Sequence, residues 1–110
     1  MEYTIEYYSS AVQDEILALP DSIAARYIVL TRRIAAVGPN LGPPHTEAFG
    51  DGLFELRLKS QDGIARVFFC TLVGRRVMML HAFVKKTQKT PLREIDIARR
   101  RMKEVKNANA

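Results

Sequence analysis

Between Leu53 and Val84 three β-prone segments follow one another with almost nothing between them, and few folds accommodate that pattern. Leu53 to Lys59, Ile64 to Val73 and Arg76 to Val84 are joined at Gln61-Asp62-Gly63 and around Gly74. Joints that short connect neighbouring antiparallel strands and leave no room for a crossover. A three-stranded meander therefore forms the middle of the chain, and its apolar side needs helices to cover it.

The helices lie before and after it. Tyr3-Thr4-Ile5-Glu6-Tyr7-Tyr8 is rich in β-formers and reads as a first strand. Ser10 and Gln13 have the spacing of a capping box that opens a short helix reaching about Leu19. Pro20 interrupts it, Asp21 or Ser22 caps a second helix, and Ile23, Tyr27, Leu30, Ile34 and Val37 share one face. Gly38 to Gly52 contains four glycines and three prolines, has little periodicity and ends in an Asp-Gly turn signal, so it reads as a long loop. Thr90 caps a last helix with Pro91 in its first position and an apolar stripe of Leu92, Ile95, Ala98, Met102 and Val105. The expected fold is α+β with two layers, in the order β-α-α-β-β-β-α. Its sheet is mainly antiparallel, with helices packed on one face and the other face open. At 110 residues and 47% hydrophobic content, residues 1–110 make one domain with a modest core.

Several classes of protein are set aside early. No N-terminal stretch combines a basic region, an apolar run and a small-residue cleavage site, and no apolar run approaches the ~18 residues that span a bilayer. A cytoplasmic protein with no membrane partner is expected. Cys70 has no second cysteine to pair with, and His45 and His81 add no zinc-like spacing, so no metal, cofactor or disulfide is expected. Cys70 reads as a small strand residue.

The charge is unevenly placed. From Arg75 onward there are eleven Lys/Arg against three Asp/Glu, whereas residues 1–74 hold six against nine, within a net charge of +5. Lys85, Lys86 and Lys89 crowd together between a strand end and a helix start, which calls for a polyanion. Arg99-Arg100-Arg101, with Lys103 and Lys106, is most simply the solvated side of the last helix, or else a rim for phosphate or a partner.

Strand alternation says which charges share a face. Phe54, Leu56 and Leu58 face the core and leave Glu55, Arg57 and Lys59 on the open side. Val67 and Phe69 do the same for Arg66, Phe68 and Cys70. In the last strand Met78, Leu80, Ala82 and Val84 suit the core, and Met79, His81, Phe83 and Lys85 face outward. Arg57, Lys59, Arg66, His81 and Lys85 then converge on one surface. Such a surface suits RNA, because cleavage through a 2′-hydroxyl builds extra negative charge that fixed Arg or Lys donors stabilise more than the ground state. Phe68 or Phe83 can stack on a splayed base. The same pattern equally describes a face that binds RNA without cutting it. Glu55 reads as an ion-pair partner for Arg57 or Arg66, His81 as a hydrogen-bonded structural residue, and His45, in the long loop, is left unassigned.

Gly52-Leu53-Phe54-Glu55-Leu56-Arg57, then Arg66-Val67-Phe68-Phe69, then Leu80-His81-Ala82-Phe83-Val84-Lys85-Lys86-Thr87-Gln88-Lys89-Thr90-Pro91, in this order of elements, resemble the phage-derived Gp49-like branch of HigB toxins in the RelE/ParE superfamily. The resemblance covers nearly the whole chain. It implies a toxin of a type II toxin–antitoxin system, a metal-independent endoribonuclease that cuts mRNA on the ribosome and is neutralised by a small helix-turn-helix, HigA-like antitoxin. It implicates Arg57, Lys59, Arg66 and Lys85 in phosphate clamping and transition-state neutralisation, one lysine being the candidate base. RNA binding falls to Lys86, His81, Phe83 and Phe68, and to Lys89 by its place in the basic segment. RelE has a C-terminal aromatic residue at its active site; no Tyr follows Tyr27 here, which shifts any stacking to Phe83 or Phe68. Two other classes stay open: a ParE-like inhibitor of gyrase, and a non-catalytic RNA- or ribosome-binding module.

Overall fold

The computed structural model describes residues 2–85 and 89–109. The meander is present as β3 (Leu53–Ser60), β4 (Gly63–Leu72) and β5 (Arg76–Val84), each antiparallel to the next. Before it come β1 (Thr4–Tyr7), α1 (Ser10–Leu17), α2 (Asp21–Val37) and β2 (Thr46–Gly50), and after it α3 (Leu92–Ala108). The five strands lie in the order β1-β5-β4-β3-β2, with β1 parallel to β5, so the sheet is mixed. A parallel partner requires a crossover, and α1 and α2 begin it. No helix of the described residues is long and apolar enough to cross a membrane.

The expected order lacked β2. Thr46–Gly50 has no alternation that marks a strand by itself; it forms because Asp51 and Gly52, with φ of 57° and 85°, make the tight turn that lays it against β3. Thr46 is 1% exposed, and the Gly42 N–H donates to its hydroxyl at 2.9 Å, which ties down the preceding loop. The first helix also starts differently. Ser9 is the cap, accepting from the Val12 N–H at 3.2 Å, and Ser10 lies within the helix, so the capping box expected from Ser10 to Gln13 does not form. Thr90 does not cap α3 either: its hydroxyl donates to Glu55 instead.

A second correction concerns the layers. α1 and α2 cover one face, where Val12, Ile16, Ile23, Tyr27, Leu30 and Ile34 bury Leu56, Leu58, Ala65, Val67, Phe69, Val77 and Met79. α3 packs on the opposite face, where Ala98, Met102 and Val105 meet Leu53, Phe68, Cys70, Met78 and Leu80. Helices thus lie on both faces, not one. The runs Val67-Phe68-Phe69-Cys70 and Val77-Met78-Met79-Leu80 are apolar without alternation because both their sides are buried.

The register explains the misplacement within β5. Phe68 pairs with His81 and Phe69 with Met79, so the ladder skips Leu80. A skipped residue reverses which parity faces which side. Val77 and Met79 therefore belong to the α1/α2 core and Met78 and Leu80 to the α3 core, while beyond the bulge Ala82 packs against the α1/α2 core and Phe83 against the α3 core. Met79, expected on an open face, is fully buried, and Val84, expected in the core, is exposed. A second bulge skips Phe49 between the Ala48 and Gly50 pairings. α3 holds both irregularities: Arg101 donates to the Leu80 carbonyl at 2.9 Å and Arg99 to the Phe49 carbonyl at 2.8 Å. Lys106 adds a bond to the Asp51 carbonyl at 2.7 Å, and the Tyr8 hydroxyl reaches Glu104 at 2.6 Å.

The cap assignment gives a simple test. Ser9→Ala removes the side-chain acceptor and is expected to cost about 1 kcal/mol in urea unfolding. Ser10→Ala, on an exposed position inside α1, is expected to change stability by less than about 0.5 kcal/mol.

Candidate nucleic-acid interface

α3 covers only part of its face. Beyond it, β3 and β4 carry Arg57, Lys59 and Arg66 outward, as the alternation predicts. Arg57 and Arg66 lie directly opposite one another in the β3–β4 ladder, and Arg66 faces Phe83 across the β4–β5 ladder. Two cations placed across a sheet repel. Glu55, 1% exposed on the same face of β3, compensates: its Oε1 lies 3.4 Å from Nε of both arginines. Arg57 hydrogen-bonds it, whereas Arg66 Nε is near enough for an ion pair but not aligned for a hydrogen bond. The second oxygen, Oε2, accepts from Thr90 at 2.7 Å, and Arg57 also pairs with Glu47 on β2.

These groups open onto a cleft of about 410 Å³. Its lining includes Arg26, His45, Arg57, Lys59 and Arg66, with Pro44 and Ile64 as apolar walls, and no carboxylate of the described residues lines it. Burial pushes the Arg66 guanidinium below its ordinary value, partly offset by Glu55; an arginine so displaced still keeps its charge. Lys85 is lowered chiefly by burial and then by Arg66. His45 is lowered by burial first and then by Arg33 and Arg26. Lys85, just past β5, is not among the described residues that line the cleft, yet Arg66 and Arg57 are near enough to help lower it.

The remaining expected residues separate. Phe68 is 0% exposed, enclosed between Phe49 and Phe83 at centroid distances of 5.4 and 6.0 Å, so it offers no surface for a base; that expectation is corrected. Phe83 and His81 are half-buried and stacked at 5.9 Å, and His81 Nε2 lies 2.7 Å from Glu94 on α3. His81 is thus engaged with α3 and does not line the cleft. Lys89 is exposed, and Lys86 lies outside the described residues. The sequence reading missed Arg26, which sits on the polar side of α2 with nothing local to mark it, and it left His45 in a loop that the fold fastens to β3. Among the described residues, no group of three or more His, Cys, Asp or Glu comes together that could hold a metal ion.

The family model described as phage-derived protein Gp49-like matches residues 14–103, from α1 through most of α3 and across every residue of the cleft. The chain belongs to the Gp49-like family. This is a family of RelE/HigB-like toxins. No curated protein matches the chain. In this Gp49-like toxin the cleft carries a compensated pair of arginines at its base and uncompensated cations at its rim, an arrangement suited to gripping a phosphodiester.

Glu55 is the test of that arrangement. Glu55→Ala leaves Arg66 buried without its counter-ion and is expected to cost about 3 kcal/mol in denaturant unfolding. A cost under about 1 kcal/mol, the range of an exposed pair, means that Glu55 does not anchor the two arginines.

Proposed function

We propose that the protein is the toxin of a type II toxin–antitoxin pair and cleaves mRNA on the ribosome. The cleft carries this reading: cations on three elements face one space that no carboxylate of the described residues lines. In the proposed reaction the 2′-oxygen attacks the adjacent phosphorus and the bond from phosphorus to the 5′-oxygen breaks, leaving a 2′,3′-cyclic phosphate and a 5′-hydroxyl. Arg57 and Arg66 bind the non-bridging oxygens as their charge grows, which stabilises the transition state more than the substrate. Lys85 takes the 2′-hydroxyl proton and later returns it to solvent, from which the departing 5′-oxygen is protonated. Its lowered pKa supports this role, because more of the amine is neutral near pH 8 than in a free lysine. A helix-turn-helix antitoxin with an acidic segment has complementary charge for the same cleft and would exclude RNA from it.

The experiment is expression in cells and in a translating extract, with 5′-end mapping of messages. Wild-type protein is expected to arrest growth and produce mapped cuts, and Arg57→Gln is expected to lower cleavage about 10²-fold while the protein stays folded. Intact messages in the presence of folded protein overturn the reading. Salt-dependent ribosome binding without cuts then favours a binding module, and DNA damage without message loss favours a gyrase inhibitor. The base has its own signature. The cleavage rate should rise with pH toward a limb below the ordinary lysine value of 10.5, and Lys85→Arg should remove that limb and lower turnover about 10²-fold.

A further inference from the structure

The cleft does not stop at the open face of the sheet. Arg26 belongs to α2, on the opposite layer, yet it lines the same space as Arg57 and Arg66. The cleft bends around the edge of β3 because β2 ends early. The His45 carbonyl accepts from the Arg57 N–H at 2.8 Å, and the chain then turns away, the His45 N–H donating to Gly42 at 3.0 Å. No strand of the described residues runs beside Lys59 on that side.

The register fixes where the Lys59 backbone points. The Ile64 carbonyl accepts from the Lys85 N–H at 2.7 Å, so Ile64 turns its polar groups toward β5. Lys59 pairs with Ile64 and therefore turns its own N–H away from β4, toward the open edge. Arg57, two residues earlier, points the same way into the His45 carbonyl. An open-edge N–H is a phosphate donor of fixed direction. Neither the Arg26 nor the Lys59 side chain makes an ion pair or hydrogen bond among the described residues, in contrast to Arg57 and Arg66.

We propose that this edge is a second phosphodiester subsite, in which the Lys59 N–H and the Arg26 guanidinium hold the phosphate next to the one gripped by Arg57 and Arg66. The inference rests on reading the cleft as an RNA site and adds the path of the strand. RNA crosses the edge of β3 from the open face toward α2. Only a single strand can do so, since a duplex is too stiff to turn around one strand's edge. His45 stands at the bend. It is faced by Arg26 and Arg33 from α2 and by Arg57 from β3, and its lowered pKa keeps the ring neutral near pH 7, with one donor and one acceptor for the ribose between the two phosphates.

The test uses a single-stranded RNA hexamer with 2′-O-methyl riboses, which cannot be cleaved, bound to the whole protein without ribosomes. Arg26→Gln is expected to weaken binding several-fold and to reduce the slope of log affinity against log salt by about 0.7, the value for one phosphate contact on a single strand. The Lys59 amide is expected to shift in ¹H–¹⁵N spectra and to exchange more slowly when the hexamer is bound. Arg26 is exposed, so an unchanged unfolding midpoint confirms that the variant is folded. An unchanged salt slope, an unmoved Lys59 amide, or no binding by the wild type overturns the subsite. Message cleavage by the wild type in any of those cases leaves the proposed activity standing. Binding with the expected slope but no cleavage leaves the subsite standing and removes the activity.

Discussion

Two arginines face each other across β3 and β4 at the base of the cleft, and a single buried carboxylate makes that tolerable. Glu55 is on the same strand face as Arg57, two residues away, and diagonal to Arg66. Without it, Arg66, 8% exposed, would carry an uncompensated charge out of water, a cost of several kcal/mol. With it, each guanidinium is held at a fixed place while part of its donor set stays directed at the cleft. Fixed donors are the ones that act on a developing charge without first reorganising. Glu55 also receives the Thr90 hydroxyl just before α3, so the carboxylate that orders the site also fixes the approach to the helix that borders it.

That border is set by the backbone as much as by side chains. A skipped residue leaves a strand carbonyl outside the regular ladder, and a carbonyl near a packed helix needs a donor. Arg99 and Arg101 supply donors to Phe49 and Leu80, the two residues the ladders pass over. Arg101 also lies 4.8 Å from the Tyr8 ring centroid, which adds an aromatic contact at the far side. α3 is thereby seated over Phe68, Cys70, Met78 and Leu80 and leaves Arg57, Lys59 and Arg66 uncovered. The position of the bulges thus decides how much of the face is core and how much is cleft.

Most of the fold was legible in the sequence where one physical signal dominated. The meander followed from joint length, and the shared face of Arg57, Lys59 and Arg66 followed from strict alternation, although Phe68 and Cys70, expected open on that face, are buried under α3. What could not be read were features fixed by pairing. β2 has too little pattern of its own and exists through β3. The reversal of faces in β5 depends on a bulge that leaves no local mark in Met78-Met79-Leu80-His81. The second helical layer was signalled by runs with no alternation, which a reading of one covered face passed over. For the site, residues on regular strands were found, whereas Arg26 and His45 reach the cleft only through the placement of α2 and of the loop after it.

The basic C-terminal part of the sequence points to a polyanion by charge density, yet the cleft is built otherwise. Among the described residues its lining cations, Arg26, Arg57, Lys59 and Arg66, come from residues 1–74, which carry more acidic than basic groups. Much of the later positive charge is taken up in fastening the fold: Arg76 to Glu6 at 2.5 and 2.8 Å, and Arg99, Arg101 and Lys106 to backbone carbonyls. A cation whose donors already face a carbonyl or carboxylate has less to offer a phosphate, while Arg26 and Lys59, whose side chains have no ion-pair or hydrogen-bond partner among the described residues, have all of it. Within the cleft, the donors that the fold leaves unspent among the described residues are those of Arg26 and Lys59, beside the early-ending edge of β3, where the Lys59 N–H points the same way.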